Sequence, residues 1–303
     1  MLGNESYTPE EIAQMLKVSK LTVYDLIKKG KLQAYRVGRQ MRIDATELES
    51  YKVRGKEVQP TSPVAERNVD QRSIVISGQD NSLDMLAKQI EAKSGQFRAL
   101  RSYVGSLDNL IAMYRGKADI ISTHLFDGDT FEYNVPYVRK FLVSKSFIVI
   151  KFVNRQAGLY VAKGNPKQIQ TWQDIADKQL EIVNREPGAG ARVLLDEQLR
   201  LRGIAKDLIK GYSNEKTSHM AIASAIANGQ ADVGVGIEHT AKMADIDFVP
   251  MIHESYDLVM LKNERNQILI SNVLSILKDT HFREALQSFG YDYEGIGEIL
   301  WEQ

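Results

Sequence analysis

Apolar positions along the first fifty residues recur first at helical and then at strand spacing. Ile12, Ala13 and Leu16 follow Thr8-Pro9-Glu10-Glu11. Thr8 can cap a helix, Pro9 suits its first position and Glu11 can complete a capping box. Beyond the short turn Lys17-Val18 a second helix opens at Ser19. Leu21, Val23, Tyr24, Leu26 and Ile27 follow in it, and it stops at Gly30. LQAYRV, Gly38-Arg39-Gln40 and MRI then alternate about a central glycine, which predicts a small hairpin. Asp44-Ala45-Thr46-Glu47 starts a third helix bearing Leu48 and Tyr51. Two short helices on so tight a turn, followed by a hairpin, predict a helix-turn-helix with a wing.

The pattern then breaks. Residues 55–70, GKEVQPTSPVAERNVD, hold two prolines and few large apolar residues, and read as a linker. Further on, SIVIS (73–77), DIIS (119–122), FIVIKF (147–152) and ADVGVG (231–236) read as buried parallel strands. Ser106-LDNLIAMYR-Gly116-Lys-Ala-Asp119 predicts a capped amphipathic helix, a glycine stop and a strand. Ser218-HMAIASAIAN-Gly229-Gln-Ala-Asp232 repeats that order. The recurrence predicts two similar α/β lobes. Gly158–Ala162 reads as a crossover strand, with a return near Phe248-Val249-Pro250. The expected fold is α/β, with 1–54 as a winged helix-turn-helix, 55–70 as linker and 71–303 as a two-lobed domain. Lobe one takes 71–157 and 249–303, and lobe two takes 158–248.

Composition narrows the classes. The 303 residues carry 39 Lys and Arg against 39 Asp and Glu, yet residues 1–60 hold 11 basic and 8 acidic side chains, a mild basic bias. With no cysteine, thiolate metal sites, disulfides and cysteine nucleophiles are excluded. No apolar run approaches the roughly 20 residues that span a bilayer. MLGNESYTPEEIAQML lacks the basic and apolar regions of a secretory signal, so the expected location is the cytoplasm.

The run from Tyr7 to Tyr51 resembles the excisionase-type winged helix-turn-helix family, with helix, turn, helix, wing and third helix in order. That resemblance implies that the second helix enters the major groove and the wing lies along the backbone. It makes Ser19, Lys20, Thr22 and Tyr24 groove candidates, and Arg36, Arg39 and Arg42 candidates for phosphates or the minor groove. Regulators of this type usually bind two half-sites, so a homodimer on double-stranded operator DNA is expected.

Four loops in the larger domain lead into helix starts: 77–86, 104–110, 184–194 and 216–222. Each is rich in Gly, Ser or Thr. Free N–H groups and the positive dipole end at a helix start attract anions, and a cleft between lobes would gather them. Ser77, Ser82, Ser106, Thr217 and Ser218 would add hydroxyls, and Arg185 or Arg192 charge. NVPYVRK, VNRQAGLYVAKGNP, IVNREPGAGARVLLD, TSHMAIASAIANGQADVGVGIE and SYDLVM resemble the periplasmic-binding-protein-like domain of cytoplasmic regulators related to molybdate-binding proteins, over most of 73–262. The resemblance implies a two-lobed fold of the second periplasmic type and a molybdate or tungstate effector. The matching positions are Ser77, Ser82, Ser106, Arg185, Gly190, Arg192, Thr217, Ser218 and Glu238, with Tyr256 at a common cleft position. Thr123 and His124, at the end of a lobe-one strand, are further ligand candidates.

Asp80 and Glu186 lie inside two of these loops, and an unpaired carboxylate facing a dianion would cost several kcal/mol. A sensor of an organic acid or cofactor therefore stays open. An enzyme needs a reactive constellation. The five histidines show no metal-ligand spacing, GAGAR lacks the Lys-Ser/Thr of a phosphate loop, and GVGIEH lacks the third glycine of a dinucleotide fingerprint. The expectation is a ligand-responsive transcription regulator, not an enzyme, with no catalytic residue and no bound metal.

Overall fold

The computed structural model describes residues 6–30, 32–38, 40–57 and 71–303. Arg39 and positions 58–70 of the expected linker lie outside the described residues. The chain divides into two compact units, 1–68 and 69–303.

In the first unit β1 (Ser6–Tyr7) leads into α1 (Pro9–Leu16) through a complete capping box. The Glu11 amide donates to Thr8 Oγ1 at 3.3 Å, and the Thr8 amide donates to Glu11 Oε2 at 2.7 Å. Lys17, at φ +54°, reverses the chain. Ser19 then caps α2 (Lys20–Lys28), accepting from the Thr22 amide at 3.1 Å. The wing is β2 (Tyr35–Val37) and β3 (Gln40–Asp44), and β1 completes a sheet of order β1-β3-β2. α3 (Ala45–Glu57) runs three residues into the segment expected as linker. Ile12, Val23, Leu32, Ile43 and Leu48 form the core. Leu21 does not join it. Two residues before Val23 it sits about 200° round the helix, and it is 83% exposed.

The second unit begins β4 (Arg72–Ser77), α4 (Ser82–Ser94), β5 (Phe97–Ser102), α5 (Ser106–Tyr114) and β6 (Ile120–Thr123). A small excursion, β7 (Phe126–Asp127) and β8 (Glu132–Tyr133), precedes α6 (Val135–Phe141) and the long β9 (Phe147–Val161). Then follow α7 (Asp174–Asp177), β10 (Ile182–Arg185), α8 (Gly190–Leu201), β11 (Glu215–Lys216), α9 (His219–Ala227), β12 (Val233–Ile237) and α10 (Glu238–Met243). β13 (Asp247–Leu261), α11 (Gln267–Leu277), α12 (Thr280–Ser288) and β14 (Ile299–Glu302) close the chain. The main sheet runs β11-β10-β12-β9-β13-β6-β4-β5, with β14 also on β9.

Two expectations need correction here. Residues 147–152 and 158–162 were expected as separate strands, the first parallel. They belong almost wholly to the single strand β9, which is antiparallel to β13 along its whole length. A strand covered on both faces reads as an apolar run whatever the direction of its neighbours, so the sequence pattern does not distinguish the two. β5 was not expected at all, because Arg98 and Arg101 break it up and hide it from a search for apolar runs. The helix–glycine–strand repeat is present in each lobe as α5–β6 and α9–β12, with both stop glycines, Gly116 and Gly229, at φ near +69°. Ser218 caps its helix, but Ser106 is the first helical residue and Gly105 holds the cap position.

β9 and β13 pass through both lobes and form the hinge. Their register shifts twice, between Pro250 and Ile252 and between Tyr256 and Asp257. Bulges at such places bend a strand pair and raise its twist. Between them lie five facing pairs, with Arg155 opposite Glu254 in the middle. On one side of lobe one, Leu83, Leu86 and Ile90 of α4 meet α11 and α12; on the other, Leu110 and Met113 meet Val138 and Leu142. Lobe two packs Leu194, Leu195 and Leu199 on one face and Ile222 and Ile226 on the other.

Asp257 is buried at this hinge, accepting from Asn134 Nδ2 at 2.5 Å and Ser255 Oγ at 2.8 Å. Burial outweighs those bonds and pushes its pKa up to about 6. The folded state therefore holds a proton that the unfolded chain gives up near pH 4, and the stabilising contribution is lost as pH rises through 6. Asp257→Asn is expected to flatten the stability-versus-pH curve between pH 4 and 6 by up to about 3 kcal/mol. Urea unfolding across that range measures it.

Candidate functional site

A cleft of about 620 Å³ separates the lobes. All four expected loops reach it: Gly78 to Asn81 before α4, Val104 to Ser106 before α5, Glu186 and Gly190 before α8, and Thr217 to Met220 at α9. Its floor is made by Ser122, Arg155 and Tyr256 from the central strands. Tyr103, Asp108, His239, Thr240, Met243 and Tyr291 complete the walls. Of the sequence candidates, the cleft gathers Ser106, His124, Gly190, Thr217, Ser218 and Tyr256.

The other six point elsewhere, each for a local reason. Ser77 Oγ donates to Asn109 Oδ1 at 2.6 Å, inside the lobe. Ser82 donates from both its amide and its hydroxyl to Asp80. Thr123 shares its strand face with Ile121, so alternation turns it into the α5–α6 core instead of the cleft. Arg192 stacks on Tyr212 and donates to the Arg185 carbonyl and Glu215, away from the cleft. Arg185 lies behind the wall, its guanidinium held by Glu186 and by Gln79 Oε1 at 2.7 Å. Glu238, the first residue of α10, lines a neighbouring cavity of about 190 Å³ instead and pairs with Lys242 at 2.9 Å.

The sequence reading missed Arg155, the one cationic side chain on the cleft wall among the described residues. It is buried between two carboxylates, donating to Asp80 Oδ2 at 2.7 Å and to Glu254 Oε1 from Nε at 2.8 Å, with its plane over the Tyr256 ring at 4.1 Å. Asp80 is doubly engaged: Oδ1 accepts from Ser82 and from the Tyr291 hydroxyl at 2.7 Å. Burial would raise the Asp80 pKa, but the Arg155 charge and these bonds outweigh it and hold it below the usual carboxylate range. At Glu254 burial prevails and the pKa is raised. Burial, aided by the nearby arginines, drives the His124 and His219 values well down and so disfavours the charged form of both rings. One signal was legible for Arg155: VNRQAG sets a lone arginine inside a largely apolar strand, and HESYDL offers a lone glutamate on the strand that pairs with it.

The two lobes touch across the mouth. The Leu107 amide donates to the Gly188 carbonyl at 3.0 Å, and Gln79 joins Arg185 and Glu186. This approach requires glycine at two places. A methyl on Gly105 would lie 2.9 Å from the Gly188 carbonyl oxygen, and one on Gly190 would lie 2.2 Å from the His124 ring. Ser106 Oγ meets His124 Nδ1 at 3.0 Å and so orients that ring.

In the first unit Ser19, Lys20, Thr22, Tyr24 and Arg36 are all exposed. The Ser19 and Thr22 hydroxyls bond each other at 2.8 Å, and Lys20 pairs with Glu10. Arg42 is half-buried and donates to the Ser6 carbonyl at 3.3 Å and to Gln40. It braces the wing against β1, which leaves Arg36 as the freer described arginine.

Comparison with known proteins agrees with both units. Residues 6–54 match a helix-turn-helix domain family and residues 87–278 the PBP superfamily domain. Over its whole length the chain is 48% identical to the uncharacterized protein YvgK of Bacillus subtilis, itself fully covered. Among solved structures, a candidate phosphate ABC transporter substrate-binding protein of Clostridium perfringens, with bound phosphate, superposes with TM-score 0.56 at 14% identity. It covers 73% of this chain and 99% of its own. The Synechocystis CcmR regulatory domain in complex with 2-PG gives 0.50 at 12%, covering 69% and 98%. The chain belongs to the PBP superfamily and carries an excisionase-type helix-turn-helix domain ahead of that fold. A DNA-binding domain joined to a ligand-binding domain is the build of a ligand-responsive regulator. No helix among the described residues is long and apolar enough to cross a membrane.

Gly190→Ala and Gly105→Ala are expected to hold the lobes apart while leaving both cores intact. Small-angle scattering should show a larger radius of gyration than the parent under the same conditions, with an unchanged circular dichroism spectrum.

Proposed function

We propose that this protein is a transcription regulator that binds operator DNA as a homodimer and senses a small anion, molybdate or tungstate, in the cleft between its lobes. The observation that carries the reading is the convergence of four helix starts on one cleft. Helix starts present backbone N–H donors and a positive dipole end, and they hold an anion without a paired cation. A fully ionised tetrahedral dianion accepts hydrogen bonds and donates none, so it suits a wall of such donors with Ser106, Thr217 and Ser218. Protonated phosphate would instead reward a free carboxylate. Asp80 has its oxygens committed to Ser82, Tyr291 and Arg155, and Glu186 is committed to Arg185 and Gln79. Neither therefore weighs against a dianion as a free carboxylate would.

A second reading, an organic acid, is favoured by a different observation. A 620 Å³ cleft with Tyr103, Met220 and Met243 on its walls offers room and apolar surface beyond what a tetrahedral oxyanion fills. Its carboxylate would take the donors and its body those walls. Titration calorimetry with molybdate, tungstate, sulfate, phosphate and a panel of small organic acids separates the two. Submicromolar binding of a metal oxyanion, weakened about fivefold in Ser106→Ala by loss of one neutral donor worth about 1 kcal/mol, supports the first reading. Binding of an organic acid alone supports the second. No binding by any of them removes the anion reading.

On the DNA side, Arg36→Ala should weaken binding to every duplex alike and reduce the slope of log affinity against log salt by about one. Fluorescence anisotropy across a salt series measures this. The same assay with and without the bound effector should show a shift in operator affinity, matched by an equal shift of effector affinity on DNA. An unchanged affinity would exclude a sensor.

A further inference from the structure

We propose that Leu21 is a sequence-reading residue, its side chain packing against the 5-methyl group of a thymine in the DNA major groove. The inference rests on the DNA-binding reading above and deepens it. At 83% exposure Leu21 is the most exposed large apolar side chain among the described residues. It lies in the first turn of α2, opposite the stripe of Val23, Leu26 and Ile27 that fastens the helix to its own core. Nothing among the described residues of its unit covers it. A leucine placed in water at a position where any polar residue would serve the helix equally well gains nothing for folding.

The surroundings name the occupant. In a helix-turn-helix the starting residues of the second helix meet base edges, and here that start belongs to a matched helix-turn-helix domain. Leu21 is flanked by the exposed Lys20 and Thr22, with the exposed Tyr24 one turn further on and Lys20 within 5.9 Å of its ring. Cationic and hydroxyl groups suit phosphates and base edges. The one major-groove feature that rewards an aliphatic side chain is the thymine methyl, which cytosine and the purines lack. A protein partner would call for a broader apolar patch than Leu21 with the partly exposed Val18 and the amphipathic ring of Tyr24, interleaved with the exposed Lys20, Thr22 and Asp25.

The test removes a single methyl. A preferred duplex is first selected from a random pool with the full chain, and each thymine in it is then replaced in turn by uracil. For the parent protein, one such replacement in each half-site should lower affinity about fourfold, the effect expected for one buried methyl group. Leu21→Ala should bind thymine and uracil versions of that site equally, with an unchanged melting temperature because the side chain is 83% exposed and joins no core among the described residues. A duplex without any uracil-sensitive position, or sensitivity retained in Leu21→Ala, overturns the proposal while leaving the DNA-binding reading standing. Failure to select any duplex overturns both. A change of oligomeric state in Leu21→Ala with intact thymine discrimination assigns the side chain to a protein contact and also overturns it.

Discussion

Removing a guanidinium from water costs several kcal/mol, and the molecule offsets this at Arg155 with two carboxylates and a tyrosine face. Few other contacts join so many parts of the ligand domain. Arg155 and Glu254 face each other on the two strands that carry the chain between lobes, within the stretch bounded by the register shifts. Asp80 belongs to the loop that opens α4, and Tyr291, which also bonds Asp80, comes from the C-terminal part of lobe one. One buried charge thus ties the bendable segment of the hinge to a wall of the cleft. Breaking such a pair by deleting one partner typically costs about 3–5 kcal/mol, since the other charge is left alone. This is why the carboxylate at Asp80, which looks hostile to an anion when read alone, has a structural task.

The same arrangement decides how the cleft presents charge. Two carboxylates around one guanidinium leave the floor without a net positive charge, and Arg185 is balanced by Glu186. Attraction for an anion then has to come from oriented neutral dipoles, which need no counter-charge and act only at short range. Such a site depends on lobe approach more than a basic pocket would, because no long-range field substitutes for contact. The close passage of Gly105 against Gly188 and of Gly190 against His124 is consistent with that dependence.

Much of this was legible in the order of residues. Thr8, Pro9 and Glu11 announce a helix start through bonds that are purely local, and the structure forms them. The four cleft loops were visible because glycine, serine and threonine before an apolar helix have few other uses. What stayed hidden depends on direction and distance. Thr123 and His124 are neighbours in sequence, but Thr123 ends β6 facing the core while His124, just beyond the strand, reaches the cleft. Leu21 and Val23 both read as apolar helix positions, yet only one meets the core. Arg185 and Arg192 look like ligand cations until Glu186, Gln79, Glu215 and Tyr212 are placed around them. Arg155 had a weak signal, a charge inside an apolar strand, whose meaning came only with its partners from residues 80 and 254.

The bonds across the mouth of the cleft, between Gln79 and the Arg185–Glu186 pair and between Leu107 and Gly188, involve protein groups alone. Every such bond moves the resting balance of the lobes toward closure before any effector is counted. An effector can shift only the share that is still open, by no more than its difference in affinity for the two arrangements. Bonds of this kind bear on the range over which a bound molecule can move the lobes: a firmer grip leaves less of the open arrangement to shift, and a looser one demands more binding energy for the same shift.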